Sequence, residues 1–289
     1  MLYRGMDRAQ LDAAYNNSDA VPTVDEMRAS WDARSASVRQ SRHGVLDQAY
    51  GDKPRQRLDL FLAENPRAPT LMFIHGGYWQ RNDKERFDFI VEGPLAHGIN
   101  VAVIEYTLAP DARMDQIVEE IRRSAGWLAE HLGEYGADSS RLYVSGHSAG
   151  GHLTAMMMDL GAVKGGLAIS GLYDLEPIRL NYLNVKLRLD ADESRRNSPI
   201  LHLPAKAPPL IITYGGAELP ELRRQSTEYA QAWLASGLPG RLLPVDGADH
   251  FSILECLADP KGALTRALVQ DARGDLFPGP PARCNGTVV

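Results

Sequence analysis

The amino-acid sequence reads as an α/β protein built on a mostly parallel sheet. Short apolar runs alternate with stretches of helical periodicity, and most runs are separated by enough chain for a helical crossover. Taken as strands, the runs fall near 44–50, 57–62, 70–75, 100–105, 141–146, 165–170, 208–214 and 240–246. The first three stand close together, which predicts an antiparallel start.

Residues 1–40 form a polar arm that carries Tyr15-Asn16-Asn17 and a helical pattern over 24–38. The main domain is expected over 41–273. Its clearest helix spans 114–135, where Ile117, Ile121, Ala125, Leu128 and Leu132 recur at three- and four-residue steps on one face. Residues 175–205 interrupt the alternation after the sixth strand and read as an inserted cap. Insertions at the carboxyl ends of parallel strands lie over the loops that bind ligands. A further helix is expected over 221–235, and residues 274–289, rich in Pro and Gly, read as a flexible tail.

Composition bounds the function. A chain of 289 residues with 44% hydrophobic content can bury one large core. A net charge of −6 and the lack of a basic stripe argue against nucleic acid, and no apolar run has the length of a membrane span. The first residues lack the apolar core of a secretory signal, so a cytoplasmic location is the expectation. Cys256 and Cys284 make neither a disulfide framework nor a metal spacing and read as free thiols. Asn285-Gly286-Thr287 has the form of a glycosylation sequon but reads as chance without a signal. No metal and no organic cofactor is expected. A small-molecule amide or ester is the expected partner, and a homodimer is the one assembly considered.

The chemistry is concentrated in two glycine motifs. Gly146-His147-Ser148-Ala149-Gly150 follows an apolar run and precedes a helical stretch. A serine hydroxyl is a poor nucleophile unless it is exposed on a sharp strand-to-helix turn within reach of a base, and the flanking glycines give such a turn its room. His75-Gly76-Gly77-Tyr78-Trp79 follows the third run. Attack on a carbonyl carbon places negative charge on its oxygen, which fixed backbone N–H groups stabilise. In an α/β-hydrolase sheet Ala149 would supply one such donor and Gly76 and Gly77 the others.

Of eight histidines, His250 occupies the position the base requires, on a turn after the last strand. His75 and His147 read as loop-orienting rings, His152 as a packed helix residue, and His43, His97, His131 and His202 as surface residues. Glu218, after the seventh strand, is the acid for His250. Glu221 and Asp246 compete, the first as a helix-start residue and the second as a turn residue.

Together with Ser170-Gly171-Leu172-Tyr173-Asp174-Leu175, Ser198-Pro199, Arg224-Gln225-Ser226 and His250-Phe251-Ser252, these motifs resemble the kynurenine formamidase (arylformamidase) branch of the α/β-hydrolases, near the hormone-sensitive-lipase-type esterases. The resemblance covers nearly the whole chain. It implies an eight-stranded sheet with helices on both faces and hydrolysis of N-formylkynurenine to kynurenine and formate. Glu218 departs from the aspartate found in many relatives.

The expected mechanism is two-step acyl transfer. Ser148 attacks while His250 takes its proton; His250 then protonates the leaving group, and water repeats the sequence. Tyr78, Trp79, Tyr173 and Tyr182 are the aromatic candidates for the substrate pocket. A carboxylesterase for small acyl or aryl esters is the second reading, and a non-catalytic ligand receptor, disfavoured by the presence of both Ser148 and His250, the third.

Overall fold

A computed structural model of the protein describes residues 1–272. The expected tail, with Cys284 and the sequon, lies outside the described residues. Eight strands form one sheet: β1 (Gly44–Ala49), β2 (Arg57–Phe61), β3 (Thr70–Ile74), β4 (Asn100–Ile104), β5 (Leu142–His147), β6 (Val163–Ile169), β7 (Leu210–Gly215) and β8 (Gly240–Val245). Their spatial order is β1-β2-β4-β3-β5-β6-β7-β8.

The antiparallel start is narrower than expected. β1 pairs antiparallel with β2, and β2 with β4, but β3 runs parallel to both β4 and β5. The chain from β3 crosses over and returns as β4 on the β2 side, so β4 takes the place beside β2 that closeness in sequence suggested for β3. All five residues of β3 are buried, as a central strand covered on both faces requires.

Neighbouring side chains of β3 enter opposite layers. Met72 and Ile74 pack with Ile117, Ile121, Ala125 and Leu128 of the helix Met114–His131, whereas Leu71 and Phe73 pack with Phe87, Phe89, Leu264 and Leu268 on the other face. That helix stops at His131 rather than running to 135. Its last turn tightens into a 3₁₀ turn over Leu132–Tyr135 and ends at Gly136, whose φ of 77° is open to glycine at no steric cost.

The arm is bound to the body. The helix Val24–Ser41 stacks Trp31 on Phe89 at 5.2 Å, and Trp31 Nε1 donates to Glu255 Oε1 at 2.9 Å. Arg39 reaches the buried carboxylates of Asp59 and Asp88, the latter at 2.8 Å. Before it stands a second helix, Arg8–Ala14, started by a reciprocal cap between Asp7 and Gln10. In the insertion the chain forms short helices, Glu176–Arg179, Asn184–Leu187 and Ala191–Arg196. Among the described residues no helix is long and apolar enough to cross a membrane.

In-register pairing of Ile74 with Gly146, Gly146 with Ala168, and Ile169 with Thr213 aligns the carboxyl ends of the central strands on one edge. The loops carrying Gly76, Ser148, Ser170 and Glu218 all leave the sheet there.

Candidate active site

β5 ends at His147 and the helix Ala149–Ala155 begins at once, which leaves Ser148 at φ 58°, ψ −114°. A non-glycine residue in that region costs about 1–3 kcal/mol and persists only where its surroundings hold it. Here they do. A Cβ on Gly150 would land on the Ile74 carbonyl oxygen, and one on Gly146 would land on the Gly150 carbonyl, so only glycine lets strand and helix approach this closely. Ser148 N–H donates to the Ile169 carbonyl at 2.8 Å, tying the turn to β6.

The turn after β8 brings in His250. Asp249 Oδ1 accepts from the backbone N–H of Phe251 and of Ser252, at 2.8 and 2.9 Å, and so shapes that turn. His250 Nδ1 lies 2.9 Å from Glu218 Oε2. A carboxylate only accepts, so Nδ1 carries the proton and Nε2 keeps its lone pair. The Glu218 side chain is fully buried, and its Oε1 accepts from Ser170 Oγ at 2.5 Å and from Gly215 N–H at 2.6 Å. The competing acids lie elsewhere: Glu221 pairs with Arg224 at 2.8 Å, and Asp246 is exposed.

His147 supports the base from behind. Its Nε2 donates to the His250 carbonyl at 2.6 Å, and the two rings lie 4.7 Å apart. Burial, with the nearby His250 ring adding to it, holds the His147 imidazole well below its ordinary range and therefore neutral.

The loop after β3 is equally constrained. His75 is sandwiched between Phe87 and Tyr106, at 5.7 and 4.5 Å, and its Nδ1 meets the Gly76 carbonyl at 2.9 Å. Asn82 Nδ2 donates to the same carbonyl at 3.0 Å. In a trans peptide the C=O of one residue and the N–H of the next point opposite ways, so pinning the Gly76 oxygen fixes the direction of the Gly77 N–H. Gly77 has φ 121°, and a Cβ there would strike Arg81 and Asn82. Ala149 opens its helix, where a backbone N–H has no carbonyl of a preceding turn to bond.

Gly76, Gly77, Ser148 and His250 line one cavity. Its walls are aromatic, from Trp31, Tyr78, Phe87, Tyr182 and Phe251, with Asn16, Asn17 and Ser18 of the arm. Three cations, Arg28, Arg81 and Arg86, also line it, and no carboxylate does. Arg28 pairs with Asp25 and Arg86 with Asp32, whereas Arg81 makes no ion pair among the described residues. A serine, an imidazole hydrogen-bonded to a buried carboxylate, and a glycine loop whose backbone lies against Ser148 are a set competent for acyl transfer.

Two aromatic residues expected at the pocket sit in the core instead. Trp79 is fully buried and meets His152 edge-on at 5.1 Å, and Tyr173 is fully buried and stacked on Tyr229 at 4.2 Å. Tyr78 and Trp79 share a positive φ, 51° and 58°, and their ring centroids lie 6.3 Å apart. Tyr173 is anchored through its backbone N–H, which donates to Gln225 Oε1 at 2.6 Å. Tyr78 and Tyr182 do line the cavity.

Across known proteins, the chain is 30% identical over 289 aligned residues to the kynurenine formamidase of Danio rerio, covering 93% of this chain and 97% of that protein. The chain belongs to the kynurenine formamidase family. The Salmo salar kynurenine formamidase is 33% identical over 78% of this chain and 81% of its own length. A family model described as BD-FAE matches residues 58–166, from β2 through the Ser148 turn. Among solved structures, a Silicibacter sp. tm1040 protein provisionally described as a thioesterase superposes with TM-score 0.81 at 29% identity, covering 89% of this chain and 98% of that one. The esterase of Pyrobaculum calidifontis shares the fold, with TM-score 0.72 at 19% identity over 88% of this chain and 93% of its own. This member of the kynurenine formamidase family is thus a hydrolase on an α/β-hydrolase fold.

The cavity holds residues that motif reading did not single out. Asn82, Arg81 and Trp31 sit in no chemical motif, and Asn17 stood only within the arm; Ser170 does not line the cavity but bonds to Glu218. What brings them in is a contact across the fold. Among the described residues no cluster of three or more His, Cys, Asp or Glu could hold a metal ion.

His152 yields a pH prediction. It is fully buried with Nε2 on the Asn197 carbonyl at 2.8 Å, and burial lowers its imidazole to about 4. The unfolded chain binds that proton near pH 6.5. The stabilising contribution is therefore complete above pH 6.5 and is lost as pH falls from 6.5 toward 4, amounting to about 3 kcal/mol. Denaturant titrations across that window should show a steep loss in the wild type and a shallower one in His152→Gln, whose amide can still donate to Asn197. Equal slopes would contradict the assignment.

Proposed function

We propose that the protein hydrolyses an aryl formamide, with N-formylkynurenine as the candidate substrate and kynurenine and formate as products. Ser148 Oγ attacks the formyl carbon while its proton passes to His250 Nε2, and the resulting oxyanion is held by the N–H groups of Gly76, Gly77 and Ala149. The C–N bond then breaks, the leaving nitrogen takes the proton from His250, and a formyl ester remains on Ser148. Water, deprotonated by His250, attacks that ester; formate leaves and Ser148 regains its proton.

The observation that carries the reading is the cavity at Ser148 and His250, walled by aromatic rings and lined by cations without a carboxylate. An aryl amide bearing a carboxylate fits both properties, with Arg81, which has no carboxylate partner among the described residues, placed to meet the charge. The Danio rerio relative, a kynurenine formamidase similar over nearly the whole chain, supports the same substrate. A carboxylesterase remains the second reading, because the same groups cleave esters with a better leaving group.

Steady-state turnover of N-formylkynurenine beside p-nitrophenyl acetate tests the choice. A kcat/KM for the formamide at least about tenfold above that for the ester is expected, a transition-state preference of ~1.4 kcal/mol. Cleavage of the ester alone would assign the site to small esters.

A further inference from the structure

Asn17 is only 4% exposed, yet it lines the cavity that holds Ser148 and His250. The polarity of its hydrogen bonding is forced. The Tyr78 hydroxyl has a single proton, and donates it to the Tyr15 carbonyl at 2.7 Å. Toward Asn17 it can therefore only accept, and it does so from Nδ2 at 3.0 Å. A flipped amide would set two acceptors face to face, so Oδ1 is the end left over. Among the described residues no protein group donates to Oδ1.

A buried acceptor without a partner is destabilising, and such groups persist in folded proteins where a bound molecule uses them. The residue that orients this one is itself held. Tyr78 keeps φ 51° in the loop after β3, and its side chain is buried, which raises its hydroxyl well above the ordinary range and so keeps it protonated.

We infer that Asn17 Oδ1 accepts an N–H from the bound substrate and is the residue that distinguishes amides from esters in this cavity. The inference rests on the amide reading above and adds to it the group that recognises the amide. A secondary aryl amide offers an N–H; the matching ester offers an oxygen, which would leave the buried Oδ1 facing a second acceptor. Sites that hydrogen-bond a substrate N–H reject analogues lacking it far more strongly than apolar pockets reject a change of shape.

Binding to Ser148→Ala, which separates recognition from turnover, tests it. Formanilide and N-methylformanilide, the second lacking the N–H, are titrated into Ser148→Ala with and without Asn17→Ala and followed by ligand NMR. With Asn17 present, formanilide should bind about tenfold more tightly than its N-methyl analogue, and Asn17→Ala should remove that preference. Failure of Ser148→Ala to prefer formanilide, or an equal loss for both ligands on Asn17→Ala, overturns the inference. Because Asn17→Ala also removes the bond to Tyr78, Tyr78→Phe is measured in the same background. It loosens the arm and frees the amide from its fixed orientation, but Asn17 can still turn Oδ1 toward a donor, so the preference should be reduced yet remain; its complete disappearance would assign the effect to arm docking and overturn the inference. Persistence of the preference in a protein that cleaves only esters would refute the formamidase reading alone, and amide turnover without the preference would refute the inference alone.

Discussion

Ser148→Ala should lower kcat on any substrate by about 10⁶-fold, leaving a residual rate above water from the proposed oxyanion donors and substrate binding. The alanine retains the Cβ, so the turn at φ 58° and the packing of Gly146 and Gly150 around it are undisturbed. Thermal unfolding should therefore match the wild type. Single-turnover kinetics with N-formylkynurenine and p-nitrophenyl acetate provide the measurement, together with mass spectrometry for an acyl adduct. An active variant, or an adduct on another side chain, would remove Ser148 from the role of nucleophile.

Glu218→Gln should cost about 10⁴-fold in kcat with little change in KM. The reason lies in the donors around the carboxylate. Ser170 Oγ–H and Gly215 N–H both donate to Oε1, so a glutamine must keep its carbonyl oxygen there and place its NH₂ where Oε2 meets His250 Nδ1. An NH₂ facing Nδ1 forces that nitrogen to accept, which moves the ring proton to Nε2 and leaves nothing to take the proton of Ser148. Glu218→Asp keeps the charge and the tautomer but withdraws the carboxylate by one methylene, for which about 10²-fold is expected. Steady-state rates of both variants measure the difference. A glutamine variant within tenfold of wild type would place the acid elsewhere.

The three residues of this predicted effect were legible because each sits in a local pattern. Ser148 stands between glycines at a strand-to-helix junction, and Glu218 and His250 each follow an apolar run at the place where a parallel strand delivers its loop. The strand positions were legible for the same reason: β4 and β8 occupy Asn100–Ile104 and Gly240–Val245, within the runs at 100–105 and 240–246. Short-range hydrophobic period and turn chemistry act over a few residues, and a sequence displays them directly.

What the sequence by itself determined, then, was the kind of sheet, the carboxyl-edge loops and the chemical groups on them. The tertiary structure alone decided which side chains meet in and around the site. Asn17 reaches Tyr78 across 61 positions and Ser170 reaches Glu218 across 48, and neither contact has a periodic signature in the chain. The same holds for the aromatic residues. Tyr78 and Trp79 are adjacent in sequence, but one lines the cavity and the other packs on His152 in the core. β4 comes to lie between β2 and β3 by the same kind of choice, made through crossover and face burial between distant segments. Local interactions fix what each segment can be, whereas the competition of all segments for buried surface fixes where each side chain ends.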